Sequence, residues 1–165
     1  MSDSALQASA YRIDKQRAAA TLALADGTSV QGWFFLAATR GIYSPERIKD
    51  LLNSESGFFP FELGDRGIRR TTLYNRDHVL YVRLAADDEP HQEPAYGVAT
   101  RRAVSMLLKG GRRLHGVVRV YCPEGRDRLS DYTRSAEVFR YLEAPDGTLV
   151  VNTRHVIEIE ETQGP

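Results

Sequence analysis

Four short blocks of this chain occur twice in the same order, and that recurrence limits its possible folds more than any other feature. LADGTSVQGW, from Leu24 to Trp33, matches LKGGRRLHGV, from Leu108 to Val117, through the shared pattern L-x-x-G-x-x-(V/L)-x-G at an offset of 84. RIKDLLNS from Arg47 matches RLSDYTRS from Arg128 at an offset of 81. FPFEL from Phe59 matches FRYLE from Phe139 at 80, and NRDHV from Asn75 matches NTRHV from Asn152 at 77. A falling offset means small deletions between the blocks of the second copy, where loops tolerate them. The 165 residues therefore read as an internal duplication. Residues 1–17 are a tail or lead-in strand, 18–84 the first copy, 85–100 an acidic linker with two prolines, and 101–162 the second copy. The marks of the repeat are Gly27, Gly32, Asp50, Asn75 and His78, then Gly111, Gly116, Asp131, Asn152 and His155.

Within each copy the pattern is mainly β. AAATLALADG and RRAVSMLLKGG alternate and end at a glycine turn, as strands entering hairpins do. Asp26-Gly27 is a strong hairpin signal and Gly110-Gly111 a fair one. In the second strands, SVQGWFFLAA and RLHGVVRVY, Gly32 and Gly116 mark a sharp bend or bulge. YSPERIKDLLNS carries Ser44 as N-cap, Pro45 at the first helical position and Glu46 in the first turn. With Ile48, Leu51 and Leu52 as an apolar stripe it predicts a helix of two to three turns, and RDRLSDYTRSAE predicts a turn or short helix. GFFPFEL and EVFRYLEA read as third strands, with Pro60 implying an edge position. TLYNRDHVLYVRL and TLVVNTRHVIEIEE each read as two strands around one tight turn at Asn-x-x-His.

This order of elements resembles a small SH3-like barrel. L-x-D-G-x-x-V-x-G resembles the opening of the Sm-like motif, and VVNTRHVIEI resembles that family's closing strand, turn and strand. The resemblance covers about 60 residues of each copy. It implies a mainly β fold with short helices: two tandem SH3-like (Sm-like) small barrels related by duplication. The chain is also similar to uncharacterised bacterial domain families built from such barrels, which implies no activity. Where the Sm-like pattern places an Asp and an Asn beside its RNA-binding loop, this chain has the R-x-x-D segment. No base-binding residue carries over.

No catalytic residue is expected. His78 and His155 titrate in a range suited to general bases, yet no G-x-S-x-G, H-E-x-x-H or comparable partner accompanies them. The simpler reading makes Asn the turn residue and lets His cap or pack over it. Arg47 with Asp50, and Arg128 with Asp131, are spaced to pair on a helix. Cys122 is the lone cysteine, so neither an intramolecular disulfide nor a zinc site is expected, and no metal or cofactor.

Charge marks one stretch. Arg101, Arg102, Lys109, Arg112, Arg113, Arg119, Arg126 and Arg128 face only Glu124 and Asp127, a local excess of six positive charges, with His115 and Tyr121 interleaved. A basic face with an aromatic can track a phosphate backbone, and the first seven are the candidate nucleic-acid contacts. Against this stands a net charge of zero, 22 basic to 22 acidic, and a solvated face offset by the acidic linker and C-terminal EIEE. Arg69-Arg70 and Arg101-Arg102 also raise a cyclic-dinucleotide site of the PilZ type, but the D/N-x-S-x-x-G stretch it needs is missing.

Trp33, Phe34 and Phe35 are consecutive, so on a strand at least one points away from the core. They are candidate interface residues, against the other copy or a partner. MSDSALQASA has no signal-peptide pattern and WFFLAA is too short to cross a bilayer. The expectation is a non-enzymatic, cytoplasmic adaptor or regulator that binds a protein partner or itself, without membrane contact. Nucleic-acid (RNA) binding through the basic face is the alternative.

Overall fold

Alternating apolar residues and glycine turns produce strands throughout the chain, in a computed structural model that describes residues 15–38, 45–86 and 88–164. The first half contains β1 (Lys15–Leu24), β2 (Ser29–Ala37), α1 (Ile48–Ser54), β3 (Phe58–Asp65), β4 (Ile68–Asn75), a 3-10 turn (Arg76–His78) and β5 (Val79–Leu84). The second half follows the same order: β6 (Thr100–Leu108), β7 (Arg113–Val120), α2 (Leu129–Thr133), β8 (Phe139–Ala144), β9 (Gly147–Asn152), a 3-10 turn (Thr153–His155) and β10 (Val156–Glu161). The expected lead-in at residues 1–14 lies outside the described residues, and 15–17 belong to β1.

Among the described residues all ten strands join one antiparallel sheet in the order β10-β6-β7-β8-β9-β5-β1-β2-β3-β4. The sheet is open, so two separately closed barrels are not what forms. The halves instead share a seam in which β5 pairs with β9, Tyr81 opposite Val151, Val82 opposite Val150 and Arg83 opposite Leu149. The seam satisfies backbone groups that two isolated halves would leave unpaired at their edges.

The halves match in detail. Gly32 lies opposite Ala20, and Gly116 opposite Val104. A Cβ on Gly32 would fall 2.2 Å from the Glu62 carbonyl oxygen, and one on Gly116 2.6 Å from that of Glu143. Both glycines thus let a neighbouring strand approach closely, which no side chain allows. Asn75 Oδ1 accepts the Asp77 N–H at 3.0 Å, and Asn152 Oδ1 the Arg154 N–H at 3.1 Å. The His78 carbonyl accepts from Ala25 N and the His155 carbonyl from Lys109 N, each at 2.8 Å.

Two apolar clusters fill the molecule, and each is completed by the other half. The first holds Leu22, Phe34, Leu52, Phe59, Phe61 and Val82, with Phe139 and Val150 from the second half. The second holds Val104, Met106, Leu108, Val118, Leu142 and Leu149, with Ala23, Leu80 and Tyr81 from the first.

Several expectations are corrected. Ser44 lies outside the described residues, and α1 begins at Ile48 behind Arg47, not at Pro45. Asp50 accepts the Arg47 N–H at 3.1 Å, and Asp131 accepts the Arg128 N–H at 3.1 Å, so each R-x-x-D is a capping device. Pro60 is not on an edge strand: β3 lies between β2 and β4. The β2–β3 pairing covers only Trp33 with Glu62 and Phe34 with Phe61, so the proline sits beyond it and its missing N–H disrupts nothing there. Asn75 pairs with Phe58, whereas Asn152 pairs with Phe139, so the third-strand block matches at an offset of 81, not 80. A one-residue slip exchanges the two faces of a strand. The described residues of the linker contain two 3-10 turns, Glu89–Gln92 and Tyr96–Val98, with Pro90 buried.

Candidate functional site

Three features stand out where sequence and fold place chemistry together: the seam between the halves, a charged cleft beside it, and the two outer edges of the sheet. At the seam the Asn-x-x-His turns meet. Asn152, 1% exposed, donates from Nδ2 to the Val79 carbonyl at 3.0 Å and to that of Arg76 at 3.4 Å. His155 Nε2 donates to the Asp77 carbonyl. The two turns are therefore neighbours, which tandem barrels packed independently do not require. His78 is exposed and His155 half-buried. Among the described residues no group of three His, Cys, Asp or Glu side chains is placed to hold a metal ion.

The cleft has a volume of about 440 Å³ and is walled by α1, the ordered linker, the end of β7, and the α2–β8 region. Lys49 is buried there between Glu93 and Glu137. Arg47 grips Asp50 through Nε at 2.8 Å and Nη2 at 2.9 Å. Burial works against the charge on Asp50, yet these bonds outweigh it and hold the carboxyl below its ordinary range. Glu89 accepts from Lys49 N at 3.0 Å and from Tyr141 Oη at 2.8 Å, while burial pushes its own carboxyl up. Arg119 holds Glu143 at 2.8 Å and stacks 3.6 Å from the centre of the Tyr96 ring. Burial also pushes the Tyr132 hydroxyl up to about 12. The pairs of Lys49 with Glu93 and Glu137, of Glu89 with Tyr141, and of Arg119 with Glu143 tie linker, first half and second half together.

The outer edges differ in kind. Among the described residues β4 and β10 each pair on one side only. Large apolar side chains lie bare beside them: Phe58 on β3 and Leu73 on β4, 61% and 62% exposed, and Ile157 on β10, 62% exposed. Between β10 and α2 runs a groove of about 240 Å³, lined by Met106, Tyr132, Val156, Ile157 and Ile159 among others. Among the described residues the buried hydroxyl of Tyr132 finds no hydrogen-bond partner.

The residues expected to act behave variously. Phe34 is wholly buried in the first core, so it is no interface residue, whereas Trp33 and Phe35 face the opposite side, half-buried. Trp33 is covered by the Arg17 guanidinium 4.5 Å from its ring centre and packs against Gly64. The basic face is neutralised in part within the chain. Arg102 pairs with Asp127 and Glu161, Arg113 with Glu158, and Arg119 with Glu143, while Arg112 lies over the Tyr81 ring. Arg101, Lys109 and Arg126 are exposed. Phe58, Leu73 and Ile157 were missed. The doublet Phe58-Phe59 held a usable signal, since adjacent residues on a strand face opposite sides.

Among the described residues no helix is long and apolar enough to cross a membrane. Neither a family model, nor a curated protein, nor a solved structure matches the chain.

Proposed function

We propose that this chain is a non-enzymatic interaction module, an adaptor or regulator that binds a protein partner or itself by strand pairing at the edges of its sheet. On this reading it consists of two SH3-like five-stranded units, related by duplication, that have merged into one sheet. The repeated order of elements, the paired glycines and the paired Asn turns support the duplication. The observation that carries the function is that among the described residues each outer strand leaves one side unpaired, with Phe58, Leu73 and Ile157 bare beside it. Unpaired edges with apolar side chains are templates for another chain. The three arginines of the basic face that are tied to carboxylates have little left to offer a phosphate backbone.

Photo-crosslinking tests this reading. A photoreactive side chain placed at Leu73 or Ile157 in the full-length protein, within its host, is expected to give polypeptide adducts that survive nuclease. One placed at Val98, exposed in the linker and part of neither outer strand, is expected to give none. Adducts to nucleic acid from Arg101 or Lys109, with none from the edges, would establish the RNA-binding alternative instead.

A further inference from the structure

The bare apolar residues have counterparts in the other half, and those counterparts are buried in the seam. Phe58 and Phe139 occupy the same place, since each pairs with the Asn that makes the turn. Phe58 is 61% exposed and Phe139 2%. Leu73 corresponds to Val150, each two positions before the turn Asn, and Ile157 to Leu80, each two positions after the turn His; exposures fall from 62% to 0% and from 62% to 9%. Phe139 and Val150 complete the first core by packing with Val79 and Val82 of β5. The equivalents of those two residues on β10 are Val156 and Ile159, which line the 240 Å³ groove. The second core therefore lacks the Phe and the aliphatic side chain that fill the first, and the molecule presents that same pair, Phe58 and Leu73, at its opposite edge.

We infer that the occupant of these edges is a second copy of this chain, joined head to tail: β10 of one copy pairs with β4 of the next in the register of the internal β5–β9 seam. This deepens the proposed function and rests on its reading of the edges. Transferring the seam's register places Ile159 opposite the next copy's Leu73, Glu158 opposite Tyr74 and Glu160 opposite Thr72. Phe58 then enters the groove between α2 and β10. Charge agrees, because β10 carries Glu158, Glu160 and Glu161 while β4 carries Arg69 and Arg70. In that register Glu160 and Arg70 are diagonal neighbours on one face, within reach of long side chains. Asn75 has the place from which Asn152 donates across the seam, so its Nδ2 would reach the next copy's Val156 carbonyl. A junction that joins unlike surfaces leaves one of each free at the ends, so it repeats until a ring closes or a filament grows.

Sedimentation and light scattering of the intact chain test this. The wild type is expected at a multiple of the 18.5 kDa chain mass, dissociating on dilution. Leu73→Lys and Ile157→Lys alter exposed positions, and each is expected to give monomers with an unchanged circular dichroism spectrum. Mixed together they are expected to form a complex of two chains and no larger, because one intact β10 and one intact β4 remain. Asn75→Ser keeps a turn-capping oxygen but loses the amide donor, so association should weaken several-fold, up to roughly tenfold. Arg70→Glu should weaken it too, and the double variant Arg70→Glu/Glu160→Arg should restore it. A wild type that stays monomeric at every soluble concentration overturns the inference, as does an oligomer indifferent to all these substitutions. If the monomer nevertheless crosslinks another polypeptide at Leu73, the self-pairing falls while the interaction-module reading stands. If neither occurs, both fall.

Discussion

Asn75 and Asn152 make the same turn with the same hydrogen bond, yet they stand in different surroundings. Asn152 is buried and its amide crosses the seam, while Asn75 is half-buried at the edge. Asn75→Ala should cost about 1 kcal/mol through the lost cap. Asn152→Ala should cost about 2–4 kcal/mol, because it also strips the hydrogen bond from a buried carbonyl. Urea denaturation of the two variants measures the difference, and equal losses would show that the seam bond contributes nothing. His155→Ala should lower stability by roughly 1 kcal/mol through the lost bond to Asp77, and His78→Ala, at an exposed position, by nearly nothing. The Asn-x-x-His spacing made the turn legible. The asymmetry was not, because it depends on a neighbour some 75 residues away in sequence.

The helices show what the immediate sequence encodes. In both, the Arg-x-x-Asp spacing supplies a capping carboxylate, but α1 buries Ile48 and Leu52 while no residue of α2 is fully buried. α1 also reaches across to β8: the Asn53 side chain bonds the Phe139 backbone at both N, 2.9 Å, and O, 2.8 Å. The linker acts as a strap over this region, and its Glu89 carries a pH dependence. Burial raises the Glu89 carboxyl above its usual value, so the folded chain binds the proton more tightly than the unfolded chain. Stability on this account rises as pH falls from the folded value towards the unfolded one, and the cost of the ionised carboxylate is fully present above the folded value. Glu89→Gln retains the acceptor oxygen. It should match or exceed the wild type in urea at pH 7 and should lack the wild type's relative gain near pH 5. A variant clearly weaker than the wild type at pH 7 would overturn this account. The linker's acidic, proline-containing composition indicated a break between halves, and it did not reveal that three of its side chains lock the cleft.

Because each apolar cluster borrows residues from the other half, the chain should unfold as one unit. Calorimetric and van't Hoff enthalpies are expected to agree, in a single transition. Leu80→Ala removes a first-half side chain from the second core. It should shift that whole transition, at a cost of about 2–5 kcal/mol, without splitting it. Two resolved transitions would mean that the halves fold independently. The same borrowing explains why the ends of the sheet are incomplete. The seam is made once internally, and one copy of each contributing surface is left over.

The strands, the glycine turns and the repetition of one order of elements were legible in the amino-acid sequence alone, since these follow from local backbone preference and from apolar periods of two and between three and four. The sequence also showed that a run such as Trp33-Phe34-Phe35 had to send a side chain outward, without showing that Phe34 was the one inside. Folding in three dimensions decided that the halves share one open sheet, that β3 pairs one residue away from the apparent match, and that Arg102, Arg113 and Arg119 of the basic face are tied to carboxylates within the chain. These outcomes depend on strand register and on long-range partners, and a one-residue shift in a strand leaves composition and periodicity intact while reversing which side chains meet solvent.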